Sequence, residues 1–292
     1  MRKYIQKHYI LFFLSSSIIY LYSCSKSDNN ITTPSETNSL NLINSQTINS
    51  TPYKIETYIH TDSIIVGYNP IILKIKDTTT STYITNATIL FDPLMTANAG
   101  MHRHSGPVEQ PIYASSNGGY TGAFMPIHGS TISYDNAGNY TGWTMRYAIT
   151  INNITYDTVK YNFATKNIKI NTQFFTSVAG NDGYTYYIAL VTPQQASQKI
   201  GIQDLEVSIY RGDNHEALSF TPINNLTITN FYPYMPDMGH SSDNNTIPTN
   251  TTNGHYKGSV NFTMGGAWTL NFIKIMQNGS SLIDSTGLEI AF

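Results

Sequence analysis

Strict alternation of apolar and polar residues is the feature that most constrains how this chain can fold. From Trp143 to Ile151, every second residue is large and apolar and the residues between are polar or small. Related alternation recurs at 71–76, 205–209 and 268–272. Successive side chains of a strand point to opposite faces of a sheet, so this pattern indicates strands that are buried on one face. No long segment has helical periodicity, and an all-β, antiparallel fold is therefore predicted.

The composition is also typical of strands and turns. Only 12% of the residues are charged, while Asn, Thr, Ser and Tyr are abundant and 20 residues are Gly. Short strands at regular spacing, separated by turns such as DNAGN and GNDG, predict Ig-like β-sandwiches. The alternation changes phase after Phe272, which predicts either a β-bulge near that residue or a strand that is buried on both faces from there.

Four motifs occur twice in the same order, which indicates an internal duplication. The first copy reads PLM at 93–95, MHRHS at 101–105, GGYTG at 118–122 and WTMRY from Trp143; the second reads PYM at 233–235, MGHS at 238–241, GHYKG at 254–258 and WTLNF from Trp268. Two tandem Ig-like sandwiches are predicted, at 51–168 and 169–292. Trp143 and Trp268 should occupy equivalent buried positions.

The N-terminus has the charge pattern of a secretory signal. Basic residues precede an apolar stretch at 10–22, and no acidic residue occurs before Asp28. Residues 1–23 are therefore predicted to be a lipoprotein signal peptide, because Leu21-Tyr22-Ser23-Cys24 resembles a bacterial lipobox. Lipidation of Cys24 would anchor the chain in a membrane, and the polar residues 24–50 would form a flexible tether. The alternative is an ordinary signal peptide with a chance cysteine.

Charge and motif content exclude several functions. Removal of residues 1–23 leaves 13 Lys and Arg against 18 Asp and Glu, a net charge of −5, so nucleic acid is not an expected partner. Cys24 is the only cysteine, and no intramolecular disulfide can form. The sequence has no nucleophile elbow, no P-loop and no HExxH motif, and a non-enzymatic protein is predicted.

Methionine and histidine cluster in the duplicated motifs, and these residues are the candidate metal ligands. They are Met95, Met101, His102 and His104 in the first copy, and Met235, Met238, His240 and His255 in the second. Thioether sulfur suits Cu(I) and imidazole suits either copper state, so copper is the predicted cofactor. Each set is expected at one end of its sandwich, with His255 within reach of His240, and His128 has the same potential role in the first copy.

Two other interpretations remain open. Methionine in a β protein usually fills the core, and loop histidines are usually solvated. The chain could then be an Ig-like interaction or carbohydrate-binding module that uses some of its 22 tyrosines as a platform. It could also be a structural spacer or cap on a membrane complex.

The second copy carries a family resemblance. MPDMGH at 235–240 and GHYKGSVNFTMGGAW from Gly254 resemble the YtkA-like family, which is related to the FixH-like proteins. The resemblance covers about residues 184–277. The stretch from about Gly183 is also similar to Bacteroidetes lipoproteins that carry such a domain. It implies an exported Ig-like domain linked by context to copper handling, with Met235, Met238 and His240 at the matched motif positions. It also implies an outer-membrane lipoprotein whose partners are copper-handling envelope proteins.

Overall fold

The computed structural model describes residues 40–48, 50–167, 173–194, 197–213 and 217–292. The predicted signal peptide at 1–23, Cys24 and the first part of the tether lie outside these residues. In the described part of the chain, the regular structure is strand apart from a short 3-10 turn at Asn98–Gly100. None of the described residues belongs to a helix long and apolar enough to cross a membrane.

The first half of the described chain folds into two facing antiparallel sheets. Its strands are β1 (Asn41–Thr47), β2 (Tyr53–Ile59), β3 (Ile64–Ile65), β4 (Asn69–Asp77), β5 (Thr82–Ile84), β6 (Thr88–Phe91), β7 (Leu94–Ala97), β8 (His102–His104), β9 (Val108–Ala114), β10 (Gly119–Phe124), β11 (Ser133–Tyr134), β12 (Tyr140–Ile151), β13 (Ile154–Phe163) and β14 (Thr165–Lys166). One sheet has the order β1-β2-β4-β10-β9, and the other has the order β11-β12-β7-β8. Strands β6 and β13 also pair with β12, and β3 forms a short parallel pair with β14.

The second half repeats this plan with fewer strands. They are β15 (Phe175–Ala179), β16 (Thr185–Thr192), β17 (Gly201–Gly212), β18 (Thr221–Pro222), β19 (Thr227–Met235), β20 (His240–Ser241), β21 (Thr246–Asn250), β22 (His255–Phe262), β23 (Ala267–Gln277) and β24 (Ser280–Ala291). The sheets have the orders β15-β16-β17-β22-β21 and β20-β19-β23-β24. The predicted all-β fold of tandem Ig-like antiparallel sandwiches is confirmed.

The two sandwiches place their duplicated aromatic residues at corresponding positions. Trp143 lies on β12, which pairs with the first strand of the β7–β8 hairpin, and Trp268 lies on β23, which pairs with the first strand of the β19–β20 hairpin. Both tryptophans are fully buried. Tyr120 and Tyr256 lie on the equivalent strands β10 and β22. The hydroxyl of Tyr120 donates to Ile84 O and accepts from the N–H of Ala87. That of Tyr256 makes the same pair of bonds, to Ile223 O and from the N–H of Leu226.

The last glycine of each Gly-x-Tyr-x-Gly motif is explained by a close backbone contact. A Cβ atom at Gly122 would lie 2.5 Å from Glu109 O, and one at Gly258 would lie 2.5 Å from Thr246 O. In both sandwiches the neighbouring edge strand contains a register shift at this point. A side chain here would collide with the bulged edge strand, so glycine is required at both positions.

Two details differ from the simplest interpretation of the sequence. The phase change in the last sheet comes from Lys274, which has a φ of 51° and leaves the pairing of β23 with β19 between Ile273 and Ile275. Residues Asn41–Thr47, inside the predicted tether, form β1 and pair with β2. The polar sequence of β1 concealed an edge strand, because an edge strand needs few apolar side chains when its backbone is hydrogen-bonded on one side.

Each sandwich has its own apolar core, and a third, smaller cluster joins them. In this joint, Met125 and Ile127 of the first sandwich pack with Tyr187, Ala189 and Tyr210 of the second. A backbone hydrogen bond of 2.9 Å also crosses the joint, from the N–H of Ser105 to Ala217 O. The joint therefore combines buried apolar surface with directed hydrogen bonds, both of which oppose separation of the two sandwiches.

Candidate functional site

In the first sandwich, a methionine, a histidine and a tryptophan form a row across three strands. Met95 on β7 lies directly opposite His104 on β8 and opposite Trp143 on β12. Directly opposed residues point to the same face of a sheet, so the three side chains are neighbours. The His104 ring lies 5.1 Å from the Trp143 ring and 5.0 Å from that of His128, measured between centroids. Within the row, Trp143 is buried and Met95 and His104 are half-buried, and His128 beside the row is exposed.

The second sandwich contains a similar row. Met235, at the end of β19, lies opposite His240 on β20. The His240 ring lies edge-on to Trp268, with 5.7 Å between the ring centroids. Met235 is buried against Gly266, where a Cβ atom would lie only 2.3 Å from the methionine methyl carbon. The missing side chain of Gly266 thus makes room for the thioether beside Trp268.

Both histidines are held in the same orientation by the backbone. Nδ1 of His104 lies 3.0 Å from Ser105 O, and Nδ1 of His240 lies 2.9 Å from Ser241 O. A carbonyl oxygen can only accept, so Nδ1 donates and Nε2 carries the lone pair in the neutral ring. A hydrogen bond from one ring nitrogen to a carbonyl is the usual way in which proteins orient a metal-ligating histidine.

The two tryptophans anchor one further residue each. The indole N–H of Trp143 donates to His128 O at 2.9 Å, and that of Trp268 donates to Met264 O at 3.0 Å. The backbone carbonyl groups of His128 and Met264 therefore occupy the same position relative to the two tryptophans. The sequence does not reveal that Met264 corresponds to His128, because the two residues lie at different distances from their tryptophans. His128 is fifteen residues from Trp143, and Met264 is four residues from Trp268. An insertion in the first copy hides the correspondence.

The remaining predicted ligands of these motifs lie on exposed positions near the rows. Met101 is 78% exposed and precedes β8, and His102 is exposed on β8, opposite Ala97. Met238 is 59% exposed in the turn between β19 and β20, where its N–H donates to Met235 O. The structure thus brings Met95 with His104 and Met235 with His240, and leaves Met101, His102 and Met238 outside the two rows.

The expectation that His255 lies within reach of His240 is wrong. His255 begins β22, whereas Phe262 at the end of the same strand packs against Trp268, with 5.7 Å between ring centroids. At about 3.3 Å per residue, β22 separates these ends by roughly 23 Å. Strand β21 carries the chain away from the His240 hairpin before β22 begins, so His255 lies at the opposite end of the sandwich.

His255 instead bridges two carboxylates at the joint between the sandwiches. Its Nδ1 lies 2.7 Å from an Oε1 atom of Glu206 on β17, and its Nε2 lies 2.7 Å from an Oε1 atom of Glu109 on β9. Tyr68 donates to the other oxygen of Glu109 at 3.0 Å, and Lys257 lies 3.3 Å from Glu206. With both ring nitrogens bound to carboxylates, His255 forms a bridge across the joint and lies apart from Met235 and His240.

The two carboxylates control the charge of His255. Burial alone would lower the pKa of His255, but its hydrogen bonds to Glu109 and Glu206 and their negative charges raise that pKa to about 9. Burial alone would raise the pKa of Glu206, but His255 and Lys257 lower it overall. At neutral pH the joint therefore contains a positive imidazolium between two carboxylates.

This charge predicts a loss of stability at alkaline pH. The pKa of His255 is raised from an ordinary 6.5 to about 9. The contribution of its charge to the free energy of unfolding is therefore complete below pH 6.5 and is lost as the pH rises through 9. Partial solvent screening limits the loss to on the order of 1–2 kcal/mol. Urea denaturation between pH 6 and pH 10 should show this decrease. His255→Ala should remove this part of the slope, and equal slopes in both proteins would contradict the assignment.

Taken together, these features define a class: tandem antiparallel β-sandwiches with a Met–His row against a buried tryptophan in each. Residues 184–272 match the YtkA-like family, and this range includes Met235, His240, Met264 and Trp268. The second half thus carries a YtkA-like domain, as its motifs indicated.

No curated protein matches the chain. Among solved structures, the chain is similar to invasin, a bacterial integrin-binding protein, with 11% identity and a TM-score of 0.25. The match covers 81% of this chain and 58% of that one, so this chain spans little more than half the length of invasin.

Proposed function

We propose that this chain is an exported, non-enzymatic lipoprotein that binds copper at one end of each sandwich and delivers or sequesters it. The proposal is supported above all by the recurrence of the Met–His row. Met95 with His104, and Met235 with His240, are paired directly across two strands beside an equivalent tryptophan. A methionine that only filled the core would not need a backbone-oriented histidine as its partner in both copies.

The chemistry of these donors favours copper over harder metals. Among the described residues, no group of three or more His, Cys, Asp or Glu side chains could hold a metal ion. The rows instead pair a thioether with an imidazole. Zinc gains little from thioether sulfur, whereas Cu(I) is bound well by thioether and imidazole together. The chain's own contribution would be to place each histidine directly opposite a methionine and to bind its Nδ1 to a backbone carbonyl, so that Nε2 is the ring nitrogen that would bind the metal.

The rest of the proposal concerns location and partners. A lipid on Cys24 would hold the chain at the outer membrane, and the residues between Cys24 and β1 would let the sandwiches reach copper-handling envelope proteins. Half-buried histidines near the surface suit transfer of metal to such proteins, because a partner's ligands can approach them. Nucleic acid is not part of the proposal, in line with the net charge of −5 after removal of residues 1–23.

The test is a Cu(I) titration of the unlipidated chain against a competing chelator. Cys24→Ser is included, because a free thiolate would itself bind Cu(I). We expect two Cu(I) ions per chain. His104→Ala and His240→Ala should each lower the affinity of one site by at least about 100-fold, as loss of a ligand exceeds the usual cost of losing a supporting group.

The matched control is His60→Ala, which removes an exposed histidine far in sequence from both rows and should leave both affinities unchanged. Binding should also weaken in acid, because a ligating histidine must be neutral. If Cu(I) binding is not saturable, or if both row variants bind as the parent does, the copper proposal is wrong. An Ig-like interaction module would then be the better proposal.

A further inference from the structure

The residue that each tryptophan anchors differs between the two sandwiches. Trp143 holds the carbonyl of His128, and Trp268 holds the carbonyl of Met264. We propose that this position supplies the third ligand of each site and sets its preferred oxidation state of copper. The inference rests on the proposed function and deepens it: Met95, His104 and His128 form a site for either copper state, and Met235, His240 and Met264 form a site for Cu(I).

The geometry of the first site already suits shared ligation. The rings of His104 and His128 are 5.0 Å apart and inclined by 75°. Two imidazoles bound to one metal at about 2.0 Å and at a tetrahedral angle have centroids roughly 5 Å apart. His104 also lies directly opposite Met95. The separation of the two rings is therefore compatible with a shared metal ion.

In the second site, a thioether replaces the second ring. Met264 is half-buried and packs against the core cluster that contains Met235 and Trp268. His240 lies beside the same tryptophan ring. The residues linked to Trp268 by its indole hydrogen bond, its ring contact and its core cluster are thus two methionines and one histidine. Those linked to Trp143 and His104 are one methionine and one further histidine.

This exchange of one donor changes which copper ion is held. Cu(II) favours nitrogen and oxygen donors in a tetragonal arrangement, and Cu(I) accepts thioether sulfur readily. With two imidazoles, the first site can bind Cu(II) as well as Cu(I). With a single imidazole and two thioethers, the second site binds Cu(I) and should hold Cu(II) poorly.

A reciprocal exchange of the two residues tests this inference. The background is the full chain with Cys24→Ser, in which His240→Ala isolates the first site and His104→Ala isolates the second. Cu(II) binding is followed by electron paramagnetic resonance, and Cu(I) binding by competition with a chelator. His128→Met should lower the Cu(II) affinity of the first site by at least about tenfold and retain Cu(I) binding. Met264→His should raise the Cu(II) affinity of the second site by a similar factor.

Met264→Leu keeps the apolar volume and removes only the sulfur, so it separates ligation from packing. We expect a loss of Cu(I) affinity in a folded protein. If Met264→Leu binds Cu(I) as tightly as the parent, or if the two exchanges leave the ratio of Cu(II) to Cu(I) affinity unchanged, the third-ligand inference is wrong while the proposed function stands. Absence of saturable Cu(I) binding in the parent would overturn both.

Discussion

Replacing Trp268 with alanine is expected to destabilise the second sandwich by about 3–5 kcal/mol, the usual cost of truncating a large buried aromatic residue. Trp268 is 1% exposed and lies against Phe262 and His240. Its loss would leave a cavity at the end of the core and would free the carbonyl of Met264 from its indole N–H. Urea denaturation followed by far-ultraviolet circular dichroism would measure the change, since this signal does not depend on the tryptophan itself.

Trp268→Phe is the matched control. It restores most of the apolar volume and removes only the hydrogen bond to Met264 O, so a cost of about 1–2 kcal/mol is expected. Trp143→Ala should behave as Trp268→Ala does, because Trp143 has the same burial and the same kind of anchored carbonyl. An alanine variant no less stable than the phenylalanine variant would show that Trp268 does not support the core.

Replacing His255 with alanine is expected to destabilise the described fold by about 2–4 kcal/mol, somewhat less than for a fully buried ion pair. The imidazolium bridges Glu109 of one sandwich and Glu206 of the other at 2.7 Å each. Without it, two carboxylates face each other across the joint, and only the exposed Lys257 beside Glu206 offsets their charge. The free energy of unfolding at pH 7 measures the effect.

Lys257→Ala is the control for His255→Ala. Lys257 also contacts Glu206, at 3.3 Å, but its side chain is 58% exposed, so its loss should cost less than about 1 kcal/mol. Adding Glu109→Gln to His255→Ala should restore part of the stability, because it removes one of the two opposed charges. Equal losses for the Lys257 and His255 variants, or no recovery in the double variant, would argue against the bridge.

The alternation of side chains predicted the strands well, because a strand that is buried on one face has apolar residues at every second position. In β12, the residues from Trp143 to Ile151 alternate in burial as their polarity suggested. The duplicated motifs also predicted the equivalent positions of Trp143 and Trp268, since each fills the corresponding place in the core of its own sandwich. The pairing of Met95 with His104 could be suspected from the same motifs, but only the strand register makes them direct neighbours.

The joint could not be predicted from the sequence. Glu109, Glu206 and His255 lie on three different strands, and no local pattern links residues so far apart in the chain. The sequence predicts the wrong end of the second sandwich for His255, because its motif gives no information about the direction of β22. The correspondence of Met264 with His128 could not be predicted either. It depends on the hydrogen bond that each carbonyl accepts from a tryptophan indole, and the spacing between the two residues of that bond differs between the copies.

The hydrogen bond from Ser105 to Ala217 connects the first row to the second sandwich. Ser105 also accepts the hydrogen bond from Nδ1 of His104, so a single residue contacts both the imidazole and the neighbouring sandwich. Thermodynamic linkage is reciprocal: if occupation of the His104 site shifts Ser105, the closure of the joint and the affinity of that site must change by the same factor. His240 contacts Ser241 in the same way, but this bond lies within the second sandwich, at the end opposite His255. In that case, the alkaline weakening of the joint should alter metal exchange at the first site and leave the second unaffected.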